Sequence, residues 1–171
     1  MREKMFDIGR AGFLDWRGGR EGNFCRITAA HPGCNTPTMF QERQVAGGDG
    51  TINWMSGPQV GMPIVFLHGV GRCWQDFDAL VPPLAWRWRV HGLDFRGHGL
   101  SARTPGKYLV RDYVRDAVAL LSQHIAQPLI LYGHSLGAMV AAAAAAQLPQ
   151  LVRGLVLEDP PFDTLGPQIQ K

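Results

Sequence analysis

The sequence predicts an α/β protein: a mostly parallel sheet with helices on both faces, opened by a β-hairpin. Three observations lead there. Short apolar segments at 64–67, 89–93, 129–131 and 155–157 read as strands buried on both faces of a sheet. Segments with helical spacing or helix-forming composition separate them, and strands joined by right-handed helical crossovers make parallel sheets. Each strand from residue 64 onward also ends in a polar or glycine-rich cluster. In such sheets the working residues gather beyond the carboxyl ends of the strands.

Residues 1–38 precede this pattern and differ from it. Arg2, Lys4, Arg10, Arg17, Arg20 and Arg26 are scattered among glycines with no helical or strand period. Such a segment buries too little apolar surface to offset its conformational entropy. It is therefore expected to be a disordered leader, with the folded domain at 39–171. A tail that binds something is the functional reading of the leader. The preferred reading is an appended segment, with the true domain starting near Met39.

The hairpin comes next. Segments 42–46 and 51–55 flank Gly47-Gly48-Asp49-Gly50, whose glycines suit the positive φ of a tight turn. The strand at 64–67 runs into His68-Gly69-Val70-Gly71. Trp74, Phe77, Leu80 and Val81 then recur at helical spacing until Pro82-Pro83 halts them. The strand at 89–93 ends in Asp94-Phe95-Arg96-Gly97-His98-Gly99-Leu100-Ser101. Val110, Tyr113, Val114, Ala117, Leu121 and Ile125 mark the core face of a helix from about 107 to 126. The last strand, at 155–157, delivers Glu158-Asp159-Pro160-Pro161.

Composition narrows the function classes. A chain of 171 residues suits one domain. The net charge of +3 is small, and no basic block interleaves with aromatics, so there is no nucleic-acid footprint. The longest apolar run, 136–146, is too short to span a bilayer. The first residues lack the apolar core of a secretory signal. Cys25, Cys34 and Cys73 are odd in number and lack metal-ligand spacing, which fits a reducing, cytoplasmic setting better than a disulfide framework. The glycine turns lack the Gly-x-Gly-x-x-Gly or Gly-Lys-Ser/Thr pattern of a phosphate cradle, which argues against a nucleotide-binding protein.

The most informative stretch is Tyr132-Gly133-His134-Ser135-Leu136-Gly137. A buried strand precedes it, and the alanine-rich run at 138–148, stopped by Pro149, reads as the helix that follows. A strand running straight into a helix forces a sharp turn, with the serine at its apex in strained backbone geometry. Gly133 and Gly137 fit because neighbouring backbone crosses the turn closely and would collide with a Cβ.

Four clusters together resemble the α/β-hydrolase family. They are His68-Gly69, the Asp94-x-x-Gly97-x-Gly99-x-Ser101 loop, the Gly133-His134-Ser135-Leu136-Gly137 elbow and the Glu158-Asp159-Pro160 strand end, in the family's order from about residue 41 to 165. The resemblance implies a serine hydrolase acting on an ester, lactone or similar acyl bond of a small-molecule substrate. Ser135 would be the nucleophile, and the backbone N–H groups of Val70 and Leu136 would form the oxyanion hole. Gly69, Gly133 and Gly137 would support the site. In the family's pattern His68 braces the oxyanion loop, His134 points away from Ser135, His98 shapes the rim and Asp94 holds its own loop together. Serine at 135 in place of aspartate argues against epoxide hydrolases and haloalkane dehalogenases of the same fold. The resemblance implies no metal, no organic cofactor, no nucleic acid and no membrane, and leaves the oligomeric state open.

The sequence departs from the family in one respect. The triad order in this fold is serine, acid, histidine, yet no histidine follows Ser135. The acid and the histidine are therefore expected beyond Lys171, the chain being read as a fragment because every upstream motif is intact. Asp159 is a minor candidate for the acid, and capping a turn before Pro160-Pro161 is its simpler role. The alternatives are a degenerate relative and a catalytically inactive ligand-binding module that keeps the fold and pocket without turnover.

Overall fold

The computed structural model describes residues 39–161; the leader at 1–38 and residues 162–171 lie outside the described residues. Strands β1 (Gln41–Ala46) and β2 (Thr51–Ser56) form the hairpin. Strand β3 (Pro63–Leu67) leads through a 3-10 turn (Trp74–Phe77) and a short helix, α1 (Val81–Leu84), to β4 (Arg89–Leu93). Helix α2 (Val110–His124), strand β5 (Leu129–His134), helix α3 (Leu136–Gln147) and strand β6 (Val152–Glu158) follow.

The six strands make one sheet in the order β1-β2-β4-β3-β5-β6. The pairs β3/β4, β3/β5 and β5/β6 are parallel, and the hairpin is antiparallel to itself and to β4. This is the mixed, mostly parallel sheet that the sequence predicts.

Strand periodicity divides the core. Successive side chains point to opposite faces of a strand, so Val65 and Leu67 of β3 join one cluster while Ile64 and Phe66 join another. On the first face, Tyr113, Leu120 and Leu121 of α2 and Val140 and Ala144 of α3 pack over Trp54, Leu93 and Leu131. On the second, Trp74, Phe77 and Val81 cover Met55 and Phe66. All five residues of β3 are buried, which is why its sequence reads as an uninterrupted apolar run rather than an alternation.

Several element boundaries differ from the sequence reading, each for a local reason. Pro82 and Pro83 lie inside α1 instead of halting a helix, because proline is tolerated in a first turn, where the N–H has no intrahelical acceptor. Helix α2 begins at Val110, and Asp112 accepts the N–H of Leu109 (3.0 Å), fixing the start three residues later than the apolar pattern implies. Among the glycines at 47, 48 and 50, Gly50 alone has positive φ, and the turn is closed by Gly47 N–H donating to the Gly50 carbonyl at 2.7 Å. Cys73 is disulfide-bonded, a correction to the reading of reduced thiols. An odd cysteine count says nothing about which two meet in the fold. Among the described residues, no helix is long and apolar enough to cross a membrane.

Strand β6 pairs with β5 on one side and with no described strand on the other. Leu155 and Val156 in its middle are 41 % and 43 % exposed. An unpaired edge carrying apolar side chains templates association, so the 171-residue chain is expected to form oligomers. Size-exclusion chromatography should show Leu155→Lys shifting the population toward monomer. A monodisperse monomer in the parent chain would overturn this expectation.

Candidate functional site

Parallel strands β3 and β5 are neighbours, with Leu67 in register with Gly133. Their carboxyl ends therefore deliver the 68–71 turn and the serine turn side by side. Ser135 sits between β5 and α3 with φ 53° and ψ −114°. For a non-glycine residue this is a sparsely populated conformation costing about 1–3 kcal/mol, and it persists only where the surroundings enforce it. The surroundings here are specific. A Cβ on Gly133 would run into the Gly137 carbonyl and the Ala138 amide, and one on Gly137 would run into the Leu67 carbonyl. Glycine at both positions lets strand, turn and helix close on one another, and the Ser135 N–H is tied to the Glu158 carbonyl at 2.9 Å.

The 68–71 turn lies against this apex. The position a Cβ of Gly69 would take is 3.4 Å from Ser135 Cβ and 3.1 Å from His134 Nδ1. The His134 ring thus packs on Gly69. The amides of Val70 and Leu136 donate to no acceptor among the described residues. For Leu136 this follows from its place in the first turn of α3, where N–H groups have no intrahelical partner. The Leu136 amide thus adjoins a serine held in a strained turn, and the Val70 amide belongs to the turn packed against it.

His68 is fully buried with both ring nitrogens engaged: Nδ1 meets the Gly69 carbonyl at 2.7 Å, and Nε2 accepts the N–H of Phe95 at 2.9 Å. The imidazole therefore links the 68–71 turn to the loop after β4. Burial lowers its pKa to about 3, so it is neutral at physiological pH. The His98 ring stacks on His68 at 5.2 Å, and its Nδ1 lies 3.0 Å from the Arg96 carbonyl; burial lowers its pKa as well.

The neutrality of His68 has a measurable consequence. Its folded pKa lies below the unfolded value, so the unfolded chain binds a proton that the folded chain does not. Stability is then fully present above about pH 6.5 and falls as pH drops toward about 3, by up to about 1.4 kcal/mol per pH unit for one such group. Urea unfolding between these limits should show the decline, with a shallower slope in His68→Gln. Identical slopes in both would assign the decline to other groups.

Asp94 is 1 % exposed and accepts from the Trp74 amide (2.9 Å), the Leu100 amide (2.9 Å) and Asn53 Nδ2 (3.0 Å). Burial raises its pKa against the pull of these three donors. Ser101 Oγ donates to the Asp94 carbonyl (2.6 Å) and accepts the Asn53 N–H (2.8 Å). The carboxylate is saturated by loop contacts, so it organises the 94–101 loop.

Sequence reasoning passed over the residues that tie these loops to the rest. Arg96, 1 % exposed, forks onto Asp116 of α2 through Nε (2.7 Å) and Nη2 (2.6 Å) and reaches Asp49 through Nη1 (2.9 Å). Asn53 joins Asp94 to Glu42, whose Oε2 accepts its Nδ2 at 2.8 Å. Tyr132 donates to Glu158 at 2.9 Å. These partners lie far apart in the chain, and no spacing rule connects them. The one available signal was an aspartate on the apolar face of α2, which needs a buried cation. Asp159, with φ 47°, is exposed at the end of β6. No group of three or more histidine, cysteine, aspartate or glutamate side chains suited to a metal occurs among the described residues.

Comparison with known proteins agrees with this geometry. The model of the alpha/beta hydrolase fold family matches residues 62–170. The chain is 37% identical over 123 residues to the 2-(acetamidomethylene)succinate hydrolase of Mesorhizobium japonicum, a match covering 70% of this chain and 43% of that one. It is 34% identical over 111 residues to epoxide hydrolase B of Mycobacterium tuberculosis, covering 63% of this chain and 31% of the other. Among solved structures, the N-formylmaleamic acid deformylase of Pseudomonas putida superposes with a TM-score of 0.65 at 27% identity, over 71% of this chain and 48% of that one. The chain spans less than half the length of these relatives. A family model that matches most of the organised sequence, together with this fold, shows that the chain belongs to the alpha/beta hydrolase fold family.

Proposed function

We propose that the protein is a serine hydrolase acting on an ester, lactone or similar acyl bond of a small molecule. The observation that carries this reading is Ser135, held at φ 53° beside two turns whose Val70 and Leu136 amides donate to no acceptor among the described residues. The Ser135 hydroxyl attacks the acyl carbonyl, and the carbonyl oxygen, as it gains charge, moves between those two amides. Backbone donors suit the task because they are fixed in place before the charge develops. The leaving group departs, and water then hydrolyses the acyl-enzyme.

A serine hydroxyl needs a base to take its proton. Both His68 ring nitrogens are occupied, and no histidine follows Ser135. The base and its orienting acid are assigned to the part of the protein beyond Lys171, consistent with a chain shorter than half its relatives. Relatives named as a 2-(acetamidomethylene)succinate hydrolase and an N-formylmaleamic acid deformylase support acyl chemistry. The relative named epoxide hydrolase B favours a different reaction on the same fold, and serine at 135 decides for acyl transfer in this reading.

Treatment of the protein extended past Lys171 with a fluorophosphonate tests the assignment. Mass spectrometry should find the adduct on Ser135, and Ser135→Ala should abolish it. The alternative is a ligand-binding module that keeps the fold without turnover. Absence of any adduct in the extended protein would support it.

A further inference from the structure

A cleft of about 220 Å³ opens at the other end of the sheet from Ser135, where the carboxyl end of α2 overhangs the first residues of β4. Its floor follows from register. Gln41, Ser56 and His91 are paired across β1, β2 and β4, and Arg43, Trp54 and Leu93 are paired one step along, so these side chains share one face with Arg89. His124 in the last turn of α2 closes the cleft from above. Trp54 lies beneath, its ring 5.2 Å from His91 and 6.0 Å from His124.

The lining sets two arginines and two histidines against one carboxylate, Glu42. Arg43 and Arg89 have no ion-pair partner among the described residues. Among the described residues Arg89 Nε is buried with no hydrogen-bond partner; His91, 6 % exposed, has a backbone hydrogen bond at Met55, and its Nδ1 is without a partner among the described residues. A buried donor left unpaired is costly, so Arg89 Nε calls for an acceptor. Although Glu42 lines the cleft, its side chain belongs to the opposite face of β1 by register, and its oxygens are taken by Asn53 (2.8 Å) and Gln75 (3.4 Å). The carboxyl end of α2 brings a partial negative charge, which two full guanidinium charges outweigh.

We propose that this cleft is a binding site for a small oxyanion, of the phosphate or carboxylate kind, held by Arg43, Arg89 and His91. Guanidinium groups present forked donors that match the oxygens of both anions. The His91 imidazole, on the same face as Arg89, adds a third polar group to the lining. The volume is below the range of drug-sized pockets, about 300–1,000 Å³, so the ligand is an ion or the acidic end of a slightly larger molecule. The site is separate from Ser135 and does not depend on its role.

The test is binding of inorganic phosphate and, separately, of succinate to the 171-residue chain, by titration calorimetry at constant ionic strength. Saturable binding of one ion per chain is expected for at least one of them, and the anion that saturates identifies the class. Arg43→Gln, at an exposed position that leaves the core intact, should weaken binding about tenfold, the loss of one charge-assisted contact. Arg89→Gln should do the same, while Ser135→Ala should leave binding unchanged. Failure of both anions to saturate in the millimolar range would overturn the proposal. So would equal affinity in Arg43→Gln, which would mark a diffuse basic surface.

Discussion

Ser135→Ala in the protein extended past Lys171 is expected to lower turnover of p-nitrophenyl acetate by about 10⁶-fold, the loss seen when a triad serine or histidine is removed. The residual rate would come from the Val70 and Leu136 amides and from substrate binding, which alanine leaves in place. The 171-residue chain itself is expected to be nearly inactive for a related reason: without a base, the Ser135 hydroxyl keeps its proton. Two measurements together separate the possibilities. Activity that appears on extension and vanishes in Ser135→Ala places the base downstream. Robust Ser135-dependent turnover by the short chain would place it upstream. His98 would then be the first residue to replace, since its loop follows β4 at the same end of the sheet as the serine turn.

Asp116→Ala is expected to cost about 3–5 kcal/mol of folding stability, because it leaves the guanidinium of Arg96 buried without its main partner. Domains of this kind are stable by only about 5–15 kcal/mol, so the urea midpoint should move far. Arg96 and Asp116 side chains are 2 % and 3 % exposed. Burial opposes the charge on Arg96, and the hydrogen bonds it donates to Asp116 and Asp49 more than reverse that, raising its pKa. The remaining partners are poor substitutes: Asp49 is shared with Lys107 and Arg115, both more than half exposed, and the Lys107 carbonyl is 3.4 Å away. The double replacement Arg96→Met with Asp116→Leu should recover much of the loss, since a buried pair exchanged for apolar residues is often near neutral. A cost below about 1 kcal/mol for Asp116→Ala would show the pair behaving as an exposed one.

Much of this molecule was legible in its sequence, and the reasons are local. The apolar run at 64–67 and the alanine-rich run after Ser135 could be read as strand and helix because burial on both faces leaves an unbroken apolar signature. The serine turn was legible because a strand, two glycines and a helix within ten residues admit one sharp connection. Boundaries were read less well. The start of α2 depends on one hydrogen bond from Leu109 to Asp112, and the tolerance of Pro82-Pro83 depends on their falling in a first turn.

The sequence by itself determined the fold class, the alternation of strands and helices, and the position of Ser135 at a strand-to-helix turn, since each follows from contacts between residues close in the chain. Only the tertiary structure decided that His68 is neutral and spans two loops, that Arg96 is anchored on Asp116, and that Arg43, Arg89 and His91 converge beneath α2. Those facts depend on strand register and on burial. Register brings residues 20 to 50 positions apart within hydrogen-bonding distance, and burial sets their charge.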